Sequence, residues 1–179
     1  ATNAAAARDT IRIFSDFDTN GRARAVSTFA TNLNIPIGLY PFRSPASATP
    51  NPQLPTPKLT WKCIAWSIPN IWLFEDTDGD GKADKQEILY GPFDCTRDTH
   101  GNQASFRRGS DGWLYATHGF NNDSHVKGRD GHEVHLNSGN IYRMRLDGSR
   151  IEHWTHGQVN PFGLCFDPLG NLYSADCHS

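Results

Sequence analysis

Two groups of residues in this chain have the types and spacing to do chemistry. The first is Asp76-Thr-Asp78-Gly-Asp80-Gly81-Lys82-Ala-Asp84-Lys-Gln-Glu87. It places oxygen donors at positions 1, 3, 5, 9 and 12 of a calcium loop. A glycine at position 6 permits the sharp turn, and the Lys82 carbonyl falls at position 7. Calcium takes six to eight hard oxygen ligands, so Asp76, Asp78, Asp80, Asp84 and Glu87 are the expected side-chain donors. A weaker copy, with Asp16, Asp18 and Asn20, has Arg24 and Ser27 at positions 9 and 12. The second group is histidine: His100, His118, His125, His132, His135, His153, His156 and His178. His100 lies in Arg97-Asp-Thr-His-Gly-Asn-Gln103 and His156 in Thr155-His-Gly-Gln-Val-Asn160, both between β-like runs.

The elements that must position these groups are short strands. Gly 16 and Pro 11 are scattered along 179 residues, and no stretch sustains a 3.6-residue apolar period. The net charge is −2 and the basic residues are interspersed, which argues against a nucleic-acid or anionic-membrane surface. No run approaches the roughly eighteen apolar residues of a membrane span. Cys63, Cys95, Cys165 and Cys177 lack C-x-x-C spacing, so a disulfide is open but cannot be paired.

Internal repeats decide the fold class. Segments starting at Ile11, Ile71 and Ile141 read as one strand–turn–strand unit, 60 and 70 residues apart. A different hairpin precedes Trp113–Thr117 and recurs before Asn171–Ala175, each turning on Asp-Gly or Pro-x-Gly-Asn. With strands labelled A to D from innermost to outermost, the chain reads C-D, A-B-C-D, A-B-C-D, A-B. The expectation is all-β: about three blades of a β-propeller with four-stranded antiparallel blades. The divisions are a half blade 11–31, a blade 37–93, a blade 103–156 with a B–C insertion 118–138, and a half blade 163–179. A sandwich would not repeat its C–D unit three times. Three blades do not close a ring, so the chain reads as a fragment of a larger protein. Alternate connections of a meander fall at opposite ends, which predicts every histidine except His153 at one end and the aspartate loop at the other. The insertion 118–138 reads as a lid, a metal-binding loop or a plain surface loop.

The stretches Ser67–Asp84, Arg97–Phe106, Asp111–Tyr115 and Asn160–Leu164 together resemble the propeller of planctomycete-type haem-binding "membrane-bound dehydrogenase" proteins. These are similar to the soluble glucose/sorbosone dehydrogenases, which are six-bladed and use pyrroloquinoline quinone. The resemblance covers essentially the whole chain. It implies a periplasmic or otherwise extracytoplasmic oxidoreductase acting on a sugar or alcohol and passing electrons to a cytochrome c-type haem domain outside this chain. His100 would be the general base, and Asn160, His156 and Gln158 the cofactor contacts. Val159 and Phe162 depart from the pattern, standing where the relatives carry an Arg and a Gln for the quinone. Two other readings follow: a calcium-stabilised propeller that binds saccharide or protein without catalysis, and a calcium-dependent lactonase-like hydrolase using Asp94, Asp98 or Asp176.

Overall fold

The computed structural model describes residues 7–45 and 59–177, so most of the Pro/Ser/Thr-rich excursion from Ser44 to Pro57, and His178, lie outside the described residues. All regular elements are strands: β1 (Asp9–Phe17), β2 (Ala23–Leu33), β3 (Leu39–Pro45), β4 (Leu59–Ser67), β5 (Asn70–Asp76), β6 (Lys85–Tyr90), β7 (Ala104–Arg108), β8 (Leu114–His118), β9 (Asp123–Lys127), β10 (Glu133–Asn137), β11 (Gly139–Met144), β12 (Ile151–Gln158), β13 (Pro161–Phe166) and β14 (Leu172–Asp176). Among the described residues no helix is long and apolar enough to cross a membrane.

Every pairing is antiparallel. Strands β3-β4-β5-β6 form one four-stranded sheet and β7-β8-β11-β12 another. β1–β2 and β13–β14 are two-stranded sheets, and β9–β10 is a separate hairpin between β8 and β11. The two-residue side-chain period explains how the sheets stack. Along β4, Cys63 and Ala65 pack with Ile11, Phe29 and Leu33 of the first hairpin, while Ile64 and Trp66 face Phe106, Leu114, Ala116 and Tyr142. On the far side of the second sheet, Tyr115 and Ile141 pack with Leu164 of β13. Each four-stranded sheet is therefore buried on both faces. That is why β4 reads as a nearly continuous buried run rather than an alternation.

The insertion is a packed structure rather than a plain loop. Ser124, Val126, Val134 and Leu136 turn inward, and the apolar three join the main core. The turn of this hairpin reaches the β11–β12 turn: Arg129 N donates to Gly148 O (3.1 Å) and Asp130 N to Ser149 O (2.9 Å). His132 therefore lies at the aspartate-loop end, contrary to the expectation that it sits with His100. The cause is length: five extended residues in β9 carry the chain about 17 Å along the sheet before it turns. The hairpin side chains of His125 and His135 stay nearer its base.

All four cysteines are free. Cys63 is buried, and loss of water pushes its thiol up to about 12.

Candidate functional site

At one end of the sheets, the β5–β6 turn holds the aspartates. Asp76, at the end of β5, is 1% exposed. Its Oδ1 accepts Gly79 N (2.6 Å) and its Oδ2 accepts Gly81 N (3.0 Å). Asp84 accepts Thr77 N (3.1 Å) and the Thr77 hydroxyl (2.8 Å). Gly79 and Gly81 supply the left-handed turns, at φ 90° and 86°. Asp76, Asp78 and Asp84 offer carboxylate oxygens within 4.8 Å of one another, which fits a divalent cation with oxygen ligands. Asp80 instead accepts Lys82 N (2.8 Å), with Lys82 Nζ 3.7 Å away.

Glu87 does not complete this set. It sits in β6 opposite Leu73, and its carboxylate pairs with Arg129 at 3.4 Å. The sequence match assumes a compact helix after position 9, which would fold position 12 back on the ion. Here the chain leaves Asp84 extended, and three residues at about 3.3 Å each carry Glu87 away. The Asp16–Asn20 turn is closed on itself: Asp18 Oδ1 accepts Asn20 N (2.8 Å) and Arg22 N (2.9 Å), and Asp16 lies in β1.

The opposite end is built from the β6–β7 loop (91–103), the β8–β9 connection (119–122) and the β12–β13 connection (159–160). Asn122, 0% exposed, clamps the first two together. Its Nδ2 donates to Asp98 O (2.6 Å) and Gly101 O (3.4 Å), while its Oδ1 accepts Asp98 N (3.1 Å). Asp98 Oδ1 in turn receives His100 N (2.7 Å) and lies 3.1 Å from His100 Nδ1. The imidazole is thus held through Nδ1 and its side chain is 90% exposed. Gly101 is forced by proximity, since a Cβ there would sit 2.3 Å from Phe120 O and 2.7 Å from Phe120 N. Phe120 is itself 40% exposed beside this turn, and Arg97 Nη1 reaches Asn121 O (3.5 Å).

Asn160 performs a different task from the one expected. It is 4% exposed; its Oδ1 accepts Phe120 N (3.0 Å) and its Nδ2 reaches Cys177 Sγ (3.1 Å). One half of the amide binds the Phe120 backbone and the other the Cys177 side chain, which ties the 119–122 connection to the end of β14. His156 is not on a connection but within β12, paired with Asn140 and stacked on His153 at 5.7 Å between ring centroids. Gly157, at φ 110°, lets β12 continue to Gln158, whose Oε1 is buried with no hydrogen-bond partner among the described residues. The pyrroloquinoline quinone implied by the resemblance does not fit this segment. Val159 and Phe162 offer no donor from their side chains, and the Asn160 amide is engaged. The hydrolase carboxylates are engaged as well. Asp94 accepts Thr96 N (2.9 Å) and Asp123 N (3.0 Å), and Asp176 accepts Val159 N (2.6 Å) and Asn160 N (2.7 Å).

Two buried residues hold this end together in ways their sequence neighbours do not indicate. Asn122 is one, with only its Asn-Asn-Asp context as a turn signal. His118 is the other, 0% exposed, with Nδ1 2.7 Å from Ser138 O and Nε2 2.8 Å from Ser124 Oγ. Burial lowers its proton affinity from the ordinary value of 6.5, partly opposed by the Ser138 carbonyl and by Asp94 and Asp123. The folded chain therefore resists a proton that the unfolded chain accepts. The His118 contribution to stability is complete above about pH 6.5 and lost as pH falls below it. Urea unfolding between pH 5 and 7 is expected to show stability falling with acid, with a shallower slope in His118→Gln; equal slopes would exclude His118 as the cause.

The family described as a domain of unknown function, DUF7133, matches residues 1–179. No curated protein and no solved structure matches the chain.

Proposed function

The chain belongs to the DUF7133 family, and we propose that it is a three-blade arc of a β-propeller that binds a saccharide at one end and calcium at the other. The arc comprises the half blade 11–31, the blades 37–93 and 103–156, and the half blade 163–179. Its support is the stack of four sheets in which the first strands β3, β7 and β13 are successive neighbours. Exposed apolar side chains on the outer hairpins, such as Phe14 and Tyr173, suit further blades beside them. Asp76, Asp78 and Asp84 would hold the calcium, which would order the β5–β6 turn.

One observation carries the saccharide reading: an exposed aromatic ring, Phe120, on backbone locked against the turn that presents His100. Sugars offer apolar C–H faces and many hydroxyls, and they match a fixed ring beside polar donors and acceptors. Arg97, Asn121 and His100 supply the polar partners. Titration calorimetry with a panel of neutral oligosaccharides is expected to find a binder whose affinity falls about tenfold in Phe120→Ala. Binding unchanged in Phe120→Ala and His100→Ala would overturn the reading.

A second reading, oxidation of the bound sugar or alcohol, is favoured by the Asp98–His100 pair. A carboxylate that holds Nδ1 leaves Nε2 to take a hydroxyl proton. The hydride would pass to a two-electron acceptor supplied from outside this chain, because the 158–162 segment does not fit a quinone. Sugar-dependent reduction of a soluble two-electron dye acceptor by the chain with calcium, abolished in His100→Ala, would establish oxidation; no reduction would leave binding alone.

A further inference from the structure

We propose that the β9–β10 hairpin carries a transition-metal site made by Asp123, His125 and His135, with zinc as its reference ion. This site is independent of the saccharide end and of the aspartate loop. Asp123 and His125 are two residues apart on one strand, so they share a face. His135 is the direct cross-strand partner of His125, which brings the two imidazoles side by side. Their rings stack at 4.3 Å between centroids and 11° between planes. Both Nε2 atoms address the same carboxylate oxygen: Asp123 Oδ1 is 2.5 Å from His135 Nε2 and 3.9 Å from His125 Nε2. All three donor atoms lie within 4.8 Å of one another.

Ligands about 2.0–2.2 Å from a tetrahedral zinc stand roughly 3.3 Å apart. The observed spacings lie on either side of that figure, so modest side-chain rotations close the set. Two imidazoles and one carboxylate suit a borderline-soft divalent ion better than calcium, and they leave a fourth position open to water. A surrounding shell is also present. Glu133 Oε1 lies 3.7 Å from His125 Nδ1, on the side away from Asp123, where it favours the tautomer with Nε2 free. The scaffold beneath is fixed. Asp123 N donates to Asp94 Oδ2, Ser124 Oγ receives Asp94 N (2.9 Å), and Val126, Val134 and Leu136 are buried. Only the outward face needs to adjust.

The test is titration of the full chain with zinc chloride, with calcium present at saturating concentration to occupy the aspartate loop. One zinc per chain is expected, weakened at least about tenfold in Asp123→Asn, His125→Ala and His135→Ala, and unchanged in His153→Ala/His156→Ala. Histidine side-chain NMR of the unsubstituted chain gives a second measurement that does not depend on any variant folding. Zinc should shift the His125 and His135 ring nitrogens ahead of all others. Undiminished binding in His125→Ala/His135→Ala, binding lost only in His153→Ala/His156→Ala, no binding at all, or zinc shifts that spare His125 and His135 would each overturn the proposal.

Discussion

Asp76→Ala is expected to abolish the calcium-dependent part of the thermal stability of the chain. A ligand present at about 100 times its dissociation constant stabilises the folded state by roughly 2.7 kcal/mol. For a chain of this size that corresponds to about 5–10 °C in midpoint. Asp76 is the buried member of the carboxylate set, and it also accepts Gly79 N and Gly81 N. Removing it should cost a further ~1–2 kcal/mol without any ion, because two turn N–H groups lose their acceptor. Glu87→Gln is the informative companion. Its carboxylate faces Arg129 rather than the turn, so the calcium response should persist. Calorimetric scans in calcium and in chelator measure both variants. Equal midpoints for the unsubstituted chain in the two buffers would remove the calcium assignment, and loss of the response in Glu87→Gln would restore the twelve-residue loop read from the sequence.

Asn122→Leu is expected to destabilise the chain by about 2–4 kcal/mol, although leucine has the same branched set of side-chain heavy atoms. The substitution leaves Asp98 N–H and Asp98 C=O without their partner at a part-buried position, where each such loss costs about 1–2 kcal/mol. The damage should be local before it is global, because the clamp joins the 98–101 turn to the 119–122 connection. Amide hydrogen exchange should therefore accelerate first at His100 and Gly101. Asn122→Asp keeps the acceptor for Asp98 N but sets a buried carboxylate oxygen against the carbonyl oxygens of Asp98 and Gly101, so it should cost at least as much. Denaturant unfolding and exchange together check this; a leucine variant as stable as the parent, with slow exchange at 98–101, would show that the clamp is incidental.

The fold class was legible because it rests on local rules. Asp-Gly and Pro-x-Gly-Asn between apolar runs demand tight turns, and the sheets use them as such: Gly112, Gly148 and Gly170 all adopt positive φ. The order of strands in the two four-stranded sheets followed from the repeat, since successive strands of the repeat pair as a meander even where a long connection or the β9–β10 insertion separates them. The separation of His100 from the aspartate turn came with it, because they lie at opposite ends of β6.

What a side chain does at the end of a strand was not legible. Glu87 has the right spacing for calcium, yet the backbone after Asp84 is extended and carries it to Arg129. Asn160 stands in a motif that suggests a cofactor contact, but β14 and the 119–120 connection converge on it and occupy its amide. His132 was assigned to one end because its sequence neighbours are loop-like. The β9–β10 hairpin moved it to the other while aligning His125 with His135. Spacing along a chain determines turns and strand order because those are contests among near neighbours. Which polar groups meet is decided by where separate sheets bring distant segments, and only the tertiary structure contains that information.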